Sequence, residues 1–125
     1  MQNLKLVYYF TNPLKITGKV DPYCEVSMGY QEHRTGVINS TCNPKWNSNM
    51  QFFIKDPDQD VLCITVFDKD YFSPNEFLGR TEVRISSIIS EKRSTDLGGP
   101  LTKKLALLET ETGMVTLRLD LQMFK

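Results

Sequence analysis

The segment "VLCITVFDKDYFSPNEFLG", residues 61–79, joins an apolar run to an acidic loop and then to a second strand-like run. In its first part, Val61–Phe67, apolar and β-branched residues fill both alternating positions, which predicts a central β-strand covered on both faces. The part that follows sets three carboxylates around two adjacent aromatic residues. The segment therefore predicts a β-structure that carries an acidic and aromatic loop at one end.

Short strands with a period of two recur along the chain. In "MVTLRLDLQ", residues 114–122, four apolar residues alternate with polar ones, as expected for a strand with one buried face. The same criterion predicts strands at LKLVYYF (4–10), YCEVSM (23–28), HRTGVI (33–38), QFFI (51–54), GRTEVRI (79–85) and TKKLAL (102–107). Residues 86–97 are irregular, with a helical turn predicted around Ile88–Ile89. Eight short strands separated by Pro, Gly and Asn predict an all-β fold, an eight-stranded antiparallel β-sandwich.

The composition indicates one folded domain without a strong electrostatic preference. The chain has 125 residues, of which 40% are hydrophobic and 24% are charged, and this is enough for a single domain over residues 1–125. Lysine and arginine number 15, and aspartate and glutamate also number 15, so the net charge is zero. Without a basic excess the composition argues against nucleic-acid binding, and any anion-binding surface must be local.

Cysteine usage and hydropathy predict a cytoplasmic protein that meets membranes only at their surface. The three cysteines, Cys24, Cys42 and Cys63, form no CxxC pair, and we interpret them as reduced thiols. No run approaches the roughly 20 apolar residues of a membrane-spanning helix. The start of the chain also lacks the cleavage pattern of a signal peptide.

Motifs for catalysis are missing from the sequence. It contains no GxSxG, GxxxxGK[ST] or GxGxxG segment. Its single histidine, His33, lies in a predicted strand and has no nucleophile elbow near it in the sequence. We therefore predict a binding module that is not an enzyme.

The acidic loop is the strongest functional signal. Asp68 and Asp70 follow a strand two residues apart, so their side chains can point the same way, and Glu76 returns to that edge before the next strand. Two like charges about 4 Å apart repel by roughly 4 kcal/mol at an effective dielectric near 20. A cation, a basic partner or protonation usually offsets such a cluster. Calcium suits it, because this ion takes about 6–8 oxygen ligands.

The acidic loop does not match an EF-hand. Counted from Asp68, position twelve of the loop is Gly79, where an EF-hand has a glutamate ligand. A calcium site in this loop therefore needs ligands from another part of the chain. Asp21, in the Asp-Pro turn of "GKVDPYCEV", is the candidate that the sequence offers.

Two interpretations fit the aromatic pair Tyr71 and Phe72. In the first, one ring packs back on the edge of the sandwich, as single surface aromatics often do. In the second, the pair inserts into a bilayer, where amphipathic aromatics favour the headgroup level. Burying a phenylalanine is worth roughly 1.5–3 kcal/mol, so insertion needs electrostatic help. Calcium would supply it, and Lys15, Lys19 and Lys69 near the same edge would supply a weaker version.

Three motifs make the chain resemble the C2 domain family: DPYCEV (21–26), NPKWNSNMQF (43–52) and VFDKDYFSPNEFLG (66–79), in this order and spacing. The resemblance covers nearly the whole chain and implies the eight-stranded β-sandwich of peripheral membrane proteins. One strand before the first motif and a full strand at the end imply the permuted, type II topology. In that topology the final strand takes the place that the first strand holds in the other form. The resemblance is strongest to the C2 domain of a cytosolic endocytic scaffold that also carries guanine-nucleotide exchange modules.

The resemblance also implies a set of ligands. It carries the calcium ligands of the family onto two loops, as Asp21 in the first loop and Asp68, Asp70, Ser73 and Glu76 in the third. Two positions depart from the family pattern. Glu76 stands where aspartate is usual, and its carboxylate can still reach an ion. Lys15 stands where an acid is expected six residues before Asp21, which puts a positive charge where the ion would lie.

These departures leave three interpretations of the acidic loop. They are calcium binding at a reduced number of sites, carboxylates neutralised without calcium by Lys15 or by a protein partner, and a polar edge without function. The leading hypothesis is a module that docks on anionic phospholipid, peripherally at the plasma membrane or at endocytic sites. Its predicted membrane contacts are Tyr71, Phe72, Lys69, Lys15 and Lys19. The alternative is a calcium-independent module that binds a protein partner or a neighbouring domain of the parent scaffold.

Overall fold

A computed structural model of the chain describes residues 2–12, 20–41, 44–95, 101–108 and 114–123. These parts contain eight strands and one helix. In chain order they are β1 (Gln2–Asn12), β2 (Pro22–Met28), β3 (Gln31–Arg34), β4 (Ser48–Ile54), β5 (Val61–Asp68), β6 (Glu76–Arg84), α1 (Ile85–Thr95), β7 (Leu101–Ala106) and β8 (Met114–Met123). The paired strands are antiparallel.

The strands form two four-stranded sheets. The first has the order β4-β1-β8-β7, and the second has the order β3-β2-β5-β6. The predicted eight-stranded antiparallel β-sandwich is therefore confirmed. The last strand, β8, lies between β1 and β7 and pairs with both of them, which is the place that the type II topology assigns to it.

The core lies between the two sheets and is built from alternate residues of the strands. Its buried strand residues include Val26, Met28, Met50, Phe52, Ile54, Leu62, Ile64, Val66, Val115, Leu117 and Leu119. Every second residue of a strand points to the same face, so a sheet with one face on a core buries every second position. This geometry explains why a period-two sequence pattern was sufficient to predict most of the strands.

The strand β5 is central in its sheet, as its apolar sequence predicted, and it pairs with β2 and β6. Leu62, Ile64 and Val66 are fully buried on its inner face. The alternate residues from Val61 to Phe67 are only half-buried, so the prediction that both faces of this strand are covered is wrong. A sheet in a sandwich has one face on the core and the other towards solvent.

The strand β3 ends earlier than predicted. A strand was expected over residues 33–38, whereas β3 spans Gln31–Arg34. Beyond it, the Thr35 hydroxyl accepts the Cys24 N–H at 2.8 Å, and the Thr35 N–H donates to the Cys24 carbonyl at 2.9 Å. Because a side-chain oxygen takes the place of a backbone acceptor there, the regular ladder stops although the chain still follows β2.

Side chains of β3 also join the edges of the two sheets. The Gln31 side-chain amide donates to the Phe53 carbonyl at 2.8 Å, and the Phe53 N–H donates to Gln31 Oε1 at 2.7 Å. His33 Nε2 lies 3.0 Å from the Gln51 carbonyl oxygen. Since β3 and β4 are edge strands of different sheets, these contacts close one side of the sandwich.

The helix α1 is longer than the helical turn predicted around Ile88–Ile89. It has eleven residues and buries Ile85 and Ile88 against the core. Serine and β-branched residues have low helix propensity, so little in the sequence indicated its length. Packing of the two isoleucines, which propensity does not measure, stabilises the helix.

Two of the three cysteines lie in described strands. Cys24 is buried in β2, and Cys63 is half-buried in β5. Burial raises the pKa of the Cys63 thiol, and the nearby Glu82 carboxylate adds to this effect. Cys42 lies outside the described residues.

In the described part of the chain, no helix is long and apolar enough to cross a bilayer.

Truncation of Phe52 tests the inner face of β4. Phe52 is fully buried, whereas 43% of the surface of its neighbour Phe53 is exposed. A Phe→Ala change in a core costs about 3–5 kcal/mol, so we expect Phe52→Ala to lower the free energy of unfolding by about that amount in urea denaturation. Phe53→Ala is the matched control and should cost clearly less. Equal losses in the two variants would contradict this assignment of the faces.

Candidate functional site

One end of the β3-β2-β5-β6 sheet gathers the acidic residues. Pro22, the first residue of β2, pairs with Asp68, the last residue of β5, and Asp68 also pairs with Glu76, the first residue of β6. Asp21 directly precedes β2 and so lies at the same end. We call Lys69–Asn75, which connects β5 to β6 there, the tip loop. Asp21 and the tip loop, distant in sequence, therefore meet at one end of the sandwich.

Hydrogen bonds join these two loops directly. The Asp21 N–H donates to Asp68 Oδ1 at 2.9 Å, and the Lys69 N–H donates to the Asp21 carbonyl at 2.9 Å. The Asp21 carboxylate accepts the Ser40 N–H at Oδ1, at 2.7 Å. Ser40 has a φ of 56°, a left-handed conformation that is uncommon for residues other than glycine and that this bond helps to hold. One carboxylate oxygen of each aspartate is thus engaged by a backbone donor.

The tip loop is built around the carboxylate of Asp70. Its Oδ1 accepts the N–H groups of Phe72 at 2.8 Å and of Ser73 at 3.1 Å. Its Oδ2 accepts the Ser73 hydroxyl at 2.6 Å. A short acidic side chain that bonds to its own chain two and three residues ahead fixes a tight turn. The sequence Asp-x-x-Ser was predicted as a pair of metal ligands, and in the structure it forms this turn.

Asn75 anchors the other end of the tip loop, and our sequence analysis did not identify it. Its Oδ1 accepts the Asp70 N–H at 3.0 Å, and its side-chain amide donates to the Tyr23 hydroxyl at 2.6 Å. Tyr23 is buried in β2, so this contact ties the loop to the sheet. The two partners lie 52 residues apart in the chain, and a pattern within one segment cannot reveal such a contact.

The hydrogen bonds of the tip loop change the titration of Asp70. The Ser73 hydroxyl, and after it the Phe72 N–H, hold the pKa of the Asp70 carboxyl below its ordinary value. Donors aimed at a carboxylate favour its ionised form. Asp70 therefore stays charged, and the turn that depends on its charge persists, down to pH values at which an ordinary aspartate is already protonated.

The aromatic pair projects from the tip loop into solvent. Of the Tyr71 surface 66% is exposed, and Phe72 is fully exposed. The interpretation in which one of these rings packs back on the sandwich edge is therefore wrong for Phe72 and unsupported for Tyr71. The Lys69 ammonium lies 5.9 Å from the centroid of the Tyr71 ring, a distance at which a cation and an aromatic face attract. The tip loop thus presents a cation and two rings together.

A row of aromatic rings crosses the sheet behind the tip loop. Tyr23 stacks on Phe67, with ring centroids 5.4 Å apart, and Phe67 meets Phe77 edge to face at 6.4 Å. The Arg34 guanidinium lies 5.4 Å from the Tyr23 ring centroid. One residue from each of the four strands contributes to this row, which braces the strand ends that carry the loops.

The described acids do not converge as a calcium centre. Within the described ranges, no group of three or more His, Cys, Asp or Glu side chains is placed so that it could hold a metal ion. Both oxygens of Asp70 are bonded inside the loop, and one oxygen each of Asp21 and Asp68 is bonded to the backbone. Glu76 is exposed. The oxygen donors have the chemistry that calcium prefers, yet their placement does not fit the ion, and their role as its ligands stays a prediction.

Two of the predicted membrane contacts cannot be placed. Lys15 and Lys19 lie outside the described residues. The predicted neutralisation of Asp21 or Asp68 by Lys15 therefore also stays a prediction. Among the predicted membrane contacts, the structure brings Lys69, Tyr71 and Phe72 together in the tip loop.

The titration of Asp70 gives a direct test of the tip loop. We expect carboxyl NMR to show a pKa for Asp70 below the ordinary value of about 3.9, because of the Ser73 hydroxyl. The stabilisation of the loop by this charge is complete above about pH 4 and is lost as the pH falls through the depressed pKa. Ser73→Ala should raise the pKa of Asp70.

Ser90→Ala, which removes an exposed hydroxyl from α1, is the matched control and should leave the pKa of Asp70 unchanged. If Ser73→Ala also leaves it unchanged, the hydrogen bond at Oδ2 is not the main cause of the shift.

Comparison with known proteins places most of the chain in one family. The model of the family described as "C2 domain" matches residues 3–98. Intersectin-1 of Xenopus laevis is 57% identical over 112 residues, which cover 90% of this chain and 6% of that protein. Intersectin-2 of Mus musculus is 56% identical over 111 residues, which cover 89% of this chain and 6% of that protein. The chain therefore spans 6% of the length of these relatives.

Solved structures share the same architecture. A calcium-bound structure of two C2 domains of Extended-Synaptotagmin 2 matches with a TM-score of 0.77 and 24% identity, over 95% of this chain and 45% of that one. At this identity the likeness shows the fold alone. The family match over most of the sequence agrees with the two-sheet topology, and the chain belongs to the C2 domain family.

Proposed function

We propose that this C2 domain is a peripheral membrane module that docks its tip loop on anionic phospholipid. The observation that carries the proposal is the exposed pair Tyr71–Phe72 on a loop whose backbone is fixed by Asp70. Exposed aromatic rings on a fixed loop lose little conformational freedom when they insert into an interface. This favours insertion over a collapsed position against the protein.

The energies involved fit reversible docking. Burying the Phe72 ring contributes roughly 1.5–3 kcal/mol, and the amphipathic Tyr71 ring suits the headgroup level. A lysine close to an anionic surface contributes about 1 kcal/mol, and Lys69 lies beside the Tyr71 ring. Lys15 and Lys19 are proposed as further contacts of the same kind. The sum corresponds to weak binding, which a longer protein with other membrane or protein contacts can reinforce.

Backbone donors partly offset the charge of the acidic residues at the tip. Oxygens of Asp21, Asp68 and Asp70 accept N–H groups of the backbone, and such donors partly offset carboxylate charge. Lys69, by contrast, lies with the exposed rings. We therefore propose docking that needs no calcium. Calcium binding by Asp21, Asp68, Asp70, Ser73 and Glu76 is the competing proposal, supported by the oxygen donors that the strand pairing brings to one end of the sheet.

We place this function at the cytoplasmic side of the plasma membrane or of endocytic sites, inside a longer scaffold protein. The identity of 56–57% to intersectins supports a scaffold of that kind. Cys63, which forms no disulfide, suits a reducing compartment. Exchange activity on a nucleotide-binding protein would reside in other domains of such a scaffold.

Vesicle co-sedimentation tests the docking surface. In chelator, we expect the domain to sediment with phosphatidylcholine vesicles that contain phosphatidylserine. The double variant Tyr71→Ala/Phe72→Ala should bind about tenfold or more weakly, because it loses the burial energy of both rings. Tyr30→Ala is the matched control, since Tyr30 is 99% exposed but lies at the opposite end of β2, and it should bind normally. Absence of sedimentation both with calcium and with chelator would remove the membrane function and favour docking to a protein partner or a neighbouring domain.

Calorimetry separates the two versions of the proposal. Because the described carboxylates do not converge, we expect no heat of binding when micromolar calcium is titrated into the domain. Heat that disappears in Asp68→Asn/Asp70→Asn would show that calcium-independent docking is the wrong version and that the acids rearrange around the ion. Asp58→Asn, in the turn between β4 and β5, is the matched control for an exposed aspartate.

A further inference from the structure

The tip loop contains a Ser-Pro dipeptide, Ser73–Pro74. Of the six prolines in the chain, Pro74 alone follows a serine or threonine. Proline has no N–H, and it restricts the residue before it to extended conformations. Protein kinases of the proline-directed class recognise a hydroxyl residue in this setting. The sequence therefore offers such an enzyme one place to act.

The structure makes that place accessible. The residues from Asp70 to Pro74 are exposed, and Phe72 next to Ser73 is fully so. Every hydrogen bond that the structure describes inside the loop uses the side chain of Asp70 or Asn75. Because these bonds lie at the surface and outside the strand pairing, a kinase that binds the segment can replace them without unfolding the sheet.

We propose that Ser73 is a phosphorylation site for a proline-directed protein kinase and that the phosphate releases the tip loop from the membrane. The release rests on the proposed function, whereas the modification itself does not. The γ-phosphoryl group of ATP passes to Ser73 Oγ: the bond from the γ-phosphorus to the oxygen of ADP breaks, and a new phosphorus–Oγ bond forms. The hydroxyl proton leaves to a base of the kinase, and ADP is the second product.

Phosphorylation changes the inside of the loop. The Ser73 hydroxyl donates to Asp70 Oδ2 at 2.6 Å, and a phosphorylated Oγ has no proton to donate. A phosphate carries a charge of about −1.5 to −2 at pH 7, so it repels the Asp70 carboxylate that holds the N–H groups of Phe72 and Ser73. The turn that presents the aromatic pair is thereby weakened.

Phosphorylation also changes the surface that faces the lipid. Ser73 follows Phe72 directly, so the new charge lies beside the inserting ring and is repelled by anionic headgroups. Lys69, which lies with the Tyr71 ring, is a ready partner for the phosphate and would then be withdrawn from the lipid. Both effects oppose docking, and both act at the loop that carries it.

The first experiment measures the phosphorylation of Ser73 independently of membrane binding. The domain is incubated with ATP and a purified mitogen-activated protein kinase, and the product is analysed by intact mass and by fragment mapping. We expect one phosphoryl group on Ser73, and none on Pro74→Ala, which keeps the hydroxyl but removes the recognition element. No incorporation, under conditions in which a standard Ser-Pro peptide is phosphorylated, would overturn the site. Incorporation at another residue would overturn it as well.

The second experiment measures the effect of phosphorylation on vesicle binding. Phosphorylated and unphosphorylated domain are separated by anion exchange and sedimented with vesicles of phosphatidylcholine and phosphatidylserine in chelator. We expect the phosphorylated form to bind about tenfold or more weakly, since the phosphate adds negative charge beside an anionic surface. Kinase-treated Pro74→Ala should bind as untreated Pro74→Ala does. Equal binding of the two wild-type forms would overturn the proposal that the phosphate releases the loop from the membrane. Absence of binding by the unphosphorylated form would overturn the proposed function. In that case the mass measurement would still show whether Ser73 is phosphorylated.

Discussion

The hydrogen bond from the Asp21 N–H to the Asp68 carboxylate joins residues that lie 47 positions apart, and the rest of the tip depends on it. It lies just beyond the β2–β5 pairing, which ends at Pro22 and Asp68. Because the pairing is antiparallel, the loop before β2 and the loop after β5 are forced to the same end of the sheet. The register of two buried strands thus decides which surface loops become neighbours.

The carboxylates at this end accept hydrogen bonds from the backbone of the loops. Their clustering can therefore be explained by the loop conformation that they stabilise. Carboxylates brought close together suggest an ion that neutralises them. Here Asp70 closes its own loop, and Asp21 and Asp68 each accept a backbone N–H. A carboxylate in a C2 loop can therefore fix the conformation of the chain, and its presence alone does not identify a ligand. The membrane function proposed above relies on the loop conformation that these bonds produce.

The sequence predicted strands best where the burial of residues leaves a pattern of apolar and polar residues within one segment. The alternating pattern of residues 114–122 predicted β8, and the apolar run Val61–Phe67 predicted a central strand. The early end of β3 and the anchoring of Asn75 on Tyr23 depend on contacts that side chains make with other strands or loops. Such contacts leave no periodic signal. The length of α1 depends on the burial of its isoleucines, which propensity does not register.

The contacts between Gln31, His33 and β4 have a consequence for how the domain behaves in a crowded cell. β4 is an edge strand of its sheet. An uncovered edge strand has unpaired N–H and carbonyl groups with which a strand of another chain can pair. The Gln31 amide occupies the N–H and carbonyl of Phe53, as a neighbouring strand would, without offering a further row of amides itself. Together with His33, which contacts the Gln51 carbonyl, this side chain takes up backbone groups of β4 that another chain would need for pairing.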